Sequence, residues 1–207
     1  MPAVPQVRPA RPDDRQFLAW GLDEAAGGLF ATMLGARSGA VLATVVAQPA
    51  HTYSFQHTMV ATIDDQVCGL CQGWSQGTPN GDGALLRAAG IRSVRAAAVS
   101  LLGWPTLAAL DRHAPGEWYL QAIAVRPSAQ GYGVGQALFA DAVRRARSAG
   151  SVTLTLDVDV ANVRARSLYE RLGLTVVSTS APAVLLGGTR VHRIGARLCD
   201  LPPDRAW

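Results

Sequence analysis

The segment "VRPSAQGYGVGQAL", residues 125–138, constrains the fold of this chain more than any other stretch. It places Gly131, Gly133 and Gly135 between an apolar stretch and a run with helical spacing. Glycine weakens regular structure, so its use at this junction indicates a sharp turn or a close approach to the main chain. Because the first N–H groups of a helix lack intrahelical partners, bare backbone at a helix start can bind a phosphate. The segment predicts an anion-binding loop, with a plain glycine-rich turn as the alternative.

This loop differs from two widespread phosphate-binding motifs. No Gly-Lys-Ser/Thr follows the glycines, so the segment is not a Walker loop. It also fits the dinucleotide motif G-x-G-x-x-G poorly, because the acidic residue expected about 20 residues further on, to bind a ribose, is hard to place.

Predicted strands and helices alternate along the rest of the chain. Strands are predicted near the start of the chain and at 58–63, 66–74, 116–125, 151–158, 174–180 and 189–198, with a turn at Asp64-Asp65. Helices are predicted from a cap at Asp13 or Asp14 to about 25, at 29–34, in two pieces over 85–110, at 134–146 and from about 162 to 172. No further element is predicted between 34 and the strand at 58. The interleaving indicates an α/β or α+β fold.

Composition and charge favour a soluble domain that binds a small molecule. The 207 residues are 49% hydrophobic and 16% charged, which suits one domain with a full core. The net charge is +4, but the arginines are scattered, which favours a small anionic ligand over nucleic acid. The stretch "MPAVPQVRPARPDDRQF" lacks the apolar run of a signal peptide, so we expect a cytoplasmic protein and no membrane span. Cys68 and Cys71 are predicted to be two buried apolar side chains rather than a metal or redox site.

Two blocks of the sequence resemble the GNAT N-acetyltransferase superfamily. In "IAVRPSAQGYGVGQAL", three residues occupy the positions of the acetyl-CoA-binding signature, namely Gln130, Gly133 and Gly135. In "LDVDVANVRARSLYERLGL", five residues match the strand, asparagine and helix pattern of the family, namely Asn162, Ala165, Leu168, Tyr169 and Gly173. The resemblance implies one domain over 1–207, with a helical insertion at about 75–115. It also implies a mixed, mostly antiparallel sheet of about seven strands, flanked by helices and splayed between its two central strands.

The resemblance further implies an acetyl-CoA-dependent N-acetyltransferase that moves an acetyl group directly to a primary amine of a small molecule or peptide. Acetyl-CoA is the implied cosubstrate, and no metal is implied. The amides of 131–136 would hold the pyrophosphate, and one β-strand would pair with the pantetheine arm. The implied coenzyme-binding residues are Ile123, Ala124, Val125, Gln130, Gly131, Tyr132, Gly133, Val134, Gly135, Gln136 and Asn162.

The resemblance implies that Tyr169 is the general acid for the departing thiolate. A thiol titrates below a phenol, so the tyrosine would remain protonated. Without the motif, the simpler interpretation is a core aromatic whose hydroxyl is satisfied locally. Glu117 and Asp157 are alternative general bases acting through water, and either could instead be a solvated carboxylate at a strand end. His113 is a third candidate.

A non-catalytic acyl-CoA-binding sensor of the same fold is the alternative function. The acceptor amine and the oligomeric state stay open, with a homodimer as one option and no nucleic-acid partner expected. The acceptor pocket would be bordered by the amino-terminal helices and the insertion. Four aromatic residues could supply apolar area there or fill the core, namely Tyr53, Phe55, Trp104 and Trp118.

Overall fold

A computed structural model describes residues 4–90, 113–182 and 190–202. Its centre is a seven-stranded sheet in the order β1-β2-β3-β4-β5-β7-β6. The strands are β1 (Gln6–Pro9), β2 (Thr58–Ile63), β3 (Gln66–Ser75), β4 (Glu117–Val125), β5 (Thr153–Asp159), β6 (Thr175–Thr179) and β7 (Val191–Arg197). Strands β4 and β5 pair in parallel, and every other pair of neighbours is antiparallel. The predicted mixed, mostly antiparallel sheet is confirmed.

Helices cover both faces of this sheet. They are α1 (Arg15–Ala25), α2 (Leu29–Leu34), α3 (Ser38–Val46), α4 (Asp82–Ala89), α5 (Val134–Ser148) and α6 (Val163–Arg171). Helices α1 to α4 share one core cluster with Leu70 of β3 and Ala124 of β4. Helices α5 and α6 share a second cluster with Leu120 of β4 and Leu156 of β5. The first face is called the α1 face below, and the second the α5 face.

The local signals in the sequence place most of these elements correctly. Asp64 and Asp65 have φ of +48° and +60°, as a two-residue hairpin turn with both central residues left-handed requires. Helix α5 ends before Gly150, and α6 ends before Gly173; both glycines have positive φ. The cysteines Cys68 and Cys71 are free and buried, which confirms their predicted packing role.

Two predictions at the amino-terminal end are wrong. Asp14 does not cap α1 with its side chain; its carboxylate instead accepts from the N–H of Arg11 at 2.7 Å and pairs with Arg8 at 2.8 Å. Helix α3 was not predicted, because Gly35 and Gly39 flank a run of apolar residues that has no amphipathic spacing. That run is helical because its residues are buried on several sides, with Leu42 and Val45 wholly inaccessible.

The region predicted as an insertion is described in part. Residues 85–89 of the first predicted helical piece lie in α4. Residues 91–112, with Trp104 and the second helical piece, lie outside the described residues, so the insertion stays a prediction. Trp118 is 2% exposed and belongs to the core of the α5 face, not to a pocket.

Among the described residues, one helical stretch, Leu29–Val46, is long and apolar enough to cross a membrane. It is 44% buried inside the protein, and Gly35, with φ of +70°, separates it into α2 and α3. Buried helices of soluble proteins share this composition, so the stretch is weak support for a membrane span.

Packing of Gly73 against Trp118 gives a test of the fold. A Cβ on residue 73 would lie 2.0 Å from the indole ring, which is enclosed in the core. Gly73→Ala is therefore expected to lower the free energy of unfolding by about 1–3 kcal/mol. Gly39→Ala, a helical position with open space around it, should be neutral or stabilising by up to about 1 kcal/mol. Equal urea midpoints for the two variants would contradict the packing described.

Candidate active site

The two central strands form a fork. Strand β4 pairs with β5 over four residues, from Glu117↔Thr153 to Leu120↔Leu156. Beyond this point β4 stays paired with β3, and β5 stays paired with β7 as far as Asp159. The backbone of β4 from 121 to 125 therefore has no β5 neighbour on its second edge. The predicted splay between the central strands is present.

A β-bulge lies where the fork opens. Gln72 of β3 is opposite Ala122, and Gly73 is opposite Leu120, so Gln121 is an extra residue in β4. A bulge bends its strand and increases the local twist, which turns β4 away from β5. The bulge also shifts by one residue the alternation of side chains between the two faces of the sheet. Leu120 and Ile123, three residues apart, therefore both contact the core cluster of the α5 face.

The glycine loop joins the open arm of β4 to α5. Gly131 and Gly133 have φ of +88° and +77°, and a Cβ on either would meet nothing within 4 Å. The N–H groups of residues 131–136 donate to no backbone carbonyl in the described part of the chain. Gln130 holds the loop against β4 by donating its side-chain nitrogen to the carbonyl of Val125 at 3.3 Å. Six consecutive backbone donors beside open space fit a diphosphate.

The other residues predicted to bind the coenzyme surround this loop. Ile123, Ala124 and Val125 lie on the open arm of β4, and the side chain of Tyr132 is 57% exposed. Asn162 caps α6, because its side-chain oxygen accepts from the N–H of Ala165 at 3.0 Å. The coenzyme contacts of these residues stay predictions.

Tyr169 lies on the α5 face of the fork. It is 5% exposed in the core cluster that also contains Leu156, and its ring centroid is 6.2 Å from that of Phe139. Burial, and after it the neighbouring Cys71 thiol, raises the pKa of Tyr169 well above its ordinary value. The hydroxyl is therefore protonated at any working pH and is available as a hydrogen-bond donor.

Glu117 is the first residue of β4, and its side chain lies on the α1 face of the sheet. Its carboxylate accepts hydrogen bonds from the Thr155 hydroxyl and the Ala114 N–H, and Nδ1 of His113 lies 3.8 Å from Oε1. Burial alone would raise the pKa of Glu117, but the nearby His113 imidazole, the two hydrogen bonds and the charge of Arg193 lower it to about 2. A carboxylate with such a low pKa is a weak proton acceptor.

Asp157 follows directly on the last residue of β5 that pairs with β4, and it also faces the α1 face. Arg193 of β7 donates to both of its oxygens, from Nε at 3.1 Å and from a terminal nitrogen at 2.8 Å. Tyr119 of β4 donates its hydroxyl to Oδ2 at 3.0 Å. A carboxylate has about four acceptor sites, so the three donors found among the described residues leave one lone pair for a further partner.

The structure thus brings Glu117 and Asp157 to one face of the fork, and Tyr169 and the glycine loop to the other. Sequence reasoning missed Tyr119 and Arg193. The spacing of Tyr119 from Glu117 places both on one face of β4, which was a usable signal. The position of Arg193 depends on β7 lying between β5 and β6, and no local pattern reports that order.

The hydrogen bonds to Glu117 predict an acid-sensitive contribution to stability. Because the folded-state pKa is about 2, below the ordinary 4.5, ionised Glu117 stabilises the fold above pH 4.5. This contribution declines as the pH falls from 4.5 towards 2. Glu117→Gln is expected to be less stable than wild type by on the order of 2–3 kcal/mol at neutral pH, and the gap should narrow near about pH 3. Urea titrations of wild type and Glu117→Gln at both pH values measure the difference in unfolding free energy. A difference that does not change with pH would contradict the lowered pKa of Glu117.

Comparison with known proteins agrees with this architecture. The model of the acetyltransferase (GNAT) family matches residues 45–174. A mycothiol acetyltransferase of Propionibacterium freudenreichii subsp. shermanii is 38% identical over 100 residues. That match covers 46% of this chain and 31% of the relative, so this chain corresponds to less than a third of the relative's length.

Solved structures share the fold. A crystal structure of an acetyltransferase has a TM-score of 0.66 at 21% identity, covering 93% of this chain and 99% of its own. An N-acetyltransferase from Staphylococcus aureus has a TM-score of 0.64 at 18% identity, covering 92% of this chain and 100% of its own. The ribosomal-protein-S18-alanine N-acetyltransferase of Escherichia coli has a TM-score of 0.56 at 15% identity, with 99% of each chain covered. The matched family model, which includes the fork and the glycine loop, shows that this chain belongs to the acetyltransferase (GNAT) family.

Proposed function

We propose that this chain transfers the acetyl group of acetyl-CoA to a primary amine of a small molecule or peptide. The observation that carries the proposal is the row of unpaired N–H groups at 131–136, which lies at the end of the open arm of β4. Such a row binds a diphosphate, and the open strand edge beside it can pair with the amide-containing arm of coenzyme A. Acetyl-CoA is the donor that the family uses.

The loop and the open strand would hold the coenzyme in different ways. Gly131 and Gly133 leave the amides bare, and Gln130 keeps the loop against β4. The main chain of 123–125 would supply backbone hydrogen bonds along the arm. One N–H of this strand would polarise the thioester carbonyl, where negative charge develops during acyl transfer.

Two side chains would move the protons. In the transfer, a bond forms between the amine nitrogen and the acetyl carbon, and the carbon–sulfur bond breaks. Asp157 would take the proton of the acceptor ammonium through a water, and Tyr169 would protonate the departing thiolate. The second proton, which the nitrogen loses as the amide forms, would return the Tyr169 phenolate to the phenol. Asp157 is preferred to Glu117 because it lies at the mouth of the fork, whereas Glu117 lies at the start of β4 and has a lowered pKa.

The acceptor is proposed to be a primary amine because that is the acceptor class implied by the resemblance of the two sequence blocks to N-acetyltransferases. The α1 face of the fork, where Asp157 lies, is the proposed acceptor side. The 207 residues contain no lysine. In assays with labelled acetyl-CoA, self-acetylation of lysine side chains therefore cannot be mistaken for transfer to the acceptor.

Binding of the coenzyme is the first test. Gly135 is the second residue of α5, and Gly39 is the second residue of α3, so valine at each position makes a matched pair. Gly135→Val places a branched side chain among the amide donors and should weaken acetyl-CoA binding about tenfold or more in calorimetric titration. Gly39→Val should bind like wild type. If wild type shows no binding at millimolar acetyl-CoA, or if the two variants bind equally, the loop is not the coenzyme site.

Thiol release with a panel of amines, amino acids and short peptides is the second test. Tyr169→Phe removes only the hydroxyl, so it should lower kcat about tenfold or more while the Kd for acetyl-CoA stays within about twofold. Unchanged turnover would exclude the acid role. Acetyl-CoA binding without thiol release against any amine would favour the non-catalytic sensor instead.

A further inference from the structure

Three side chains link the strands at the mouth of the fork, and they are called the fork link below: Tyr119 of β4, Asp157 of β5 and Arg193 of β7. The hydroxyl of Tyr119 is 3.0 Å from Oδ2 of Asp157, and Arg193 donates to both carboxylate oxygens. Asp157 and Arg193 are directly opposite in the register of β5 and β7. Tyr119 lies in the part of β4 that is paired with β5, and Asp157 is the first residue of β5 beyond that pairing, so the fork link crosses the point where the two strands separate.

Each outer member of the fork link is held firmly. The ring of Tyr119 lies 4.5 Å from that of His113 and 5.3 Å from that of Trp74, measured between centroids. The Arg193 guanidinium lies 5.6 Å from the centroid of the Tyr119 ring, and its side chain is only 15% exposed. Burial, reinforced by Asp157, raises the pKa of Tyr119 well above 10, so its hydroxyl remains a donor. With donors on both oxygens, the Asp157 carboxylate has one orientation.

We propose that Tyr119 and Arg193 are positioning residues that fix the Asp157 carboxylate so that its remaining lone pair accepts from the water that relays the proton of the acceptor ammonium. The inference rests on the proposed function, because it concerns the proton acceptor of that reaction. Neither residue needs to touch the acetyl group or the coenzyme. Their removal should therefore weaken acceptor binding and the proton step and leave coenzyme binding unchanged.

A second side-chain link between the same strands provides a control. Thr155 of β5 donates its hydroxyl to Glu117 of β4, so the acceptor of this hydrogen bond is a carboxylate other than Asp157. Thr155→Val removes this hydrogen bond at nearly constant volume. If the fork link only holds the two strands together, the two links should have similar effects on catalysis. If the fork link positions Asp157, their effects should differ.

The first measurement is steady-state kinetics with the best amine of the panel. Tyr119→Phe keeps the ring and removes one donor to Asp157, so the KM for the acceptor should rise about three- to tenfold. Arg193→Lys keeps the charge but loses the bidentate contact, so it should also raise the KM for the acceptor, and Arg193→Gln should raise it more. The Kd for acetyl-CoA should stay within about twofold in all three. Thr155→Val should lower the urea midpoint and leave the acceptor KM unchanged.

A double-mutant cycle with Asp157→Asn separates positioning from general stability. When Asp157 is already asparagine, Tyr119→Phe should cause little further loss of kcat/KM. An equal loss in both backgrounds, or a rise in acceptor KM for Thr155→Val as large as for Tyr119→Phe, overturns the inference. Full activity of Asp157→Asn also overturns it but leaves acetyl transfer standing. If none of the amines in the panel supports thiol release by the wild type, the proposed function fails and this inference fails with it.

Discussion

The sheet depends on a parallel pairing that stops after four residues. A strand edge in the middle of a sheet leaves backbone N–H and C=O groups without partners, which a folded protein ordinarily avoids. Here the bulge at Gln121 bends β4, and the continuous pairing of β5 with β7 keeps β5 in place. The unpaired edge is thereby held open by the rest of the sheet, so its donors and acceptors are available to an extended ligand.

The two faces of the fork are chemically different because strand alternation separates their side chains. The α5 face carries apolar residues, the protonated Tyr169 and, beyond them, the bare amides of the glycine loop. The α1 face carries Glu117, Asp157 and the donors that hold them. In the proposed reaction, the coenzyme and the acceptor therefore meet different surroundings, and the two proton transfers take place on opposite sides of the sheet.

Features that depend on neighbours in the chain could be predicted from the sequence, and features that depend on strand order could not. The hairpin at Asp64-Asp65, the glycine loop and the start of a helix near Asn162 each follow from a few adjacent residues, and the structure has all three. Helix α3 was missed because its apolar residues contact the core on several sides, which removes the amphipathic period. Arg193 was missed as a partner of Asp157 because 36 residues separate them in the chain. Only the insertion of β7 between β5 and β6 makes them neighbours.

The extra residue in β4 also bears on how members of this fold can lose function without losing structure. Deleting Gln121 would restore a regular ladder in which β4 continues straight alongside β5. Backbone groups that are now available to a ligand would then satisfy one another, and the groove between the strands would close. A chain shortened by this one codon could remain well folded, and even gain stability, while having no room for a thioester.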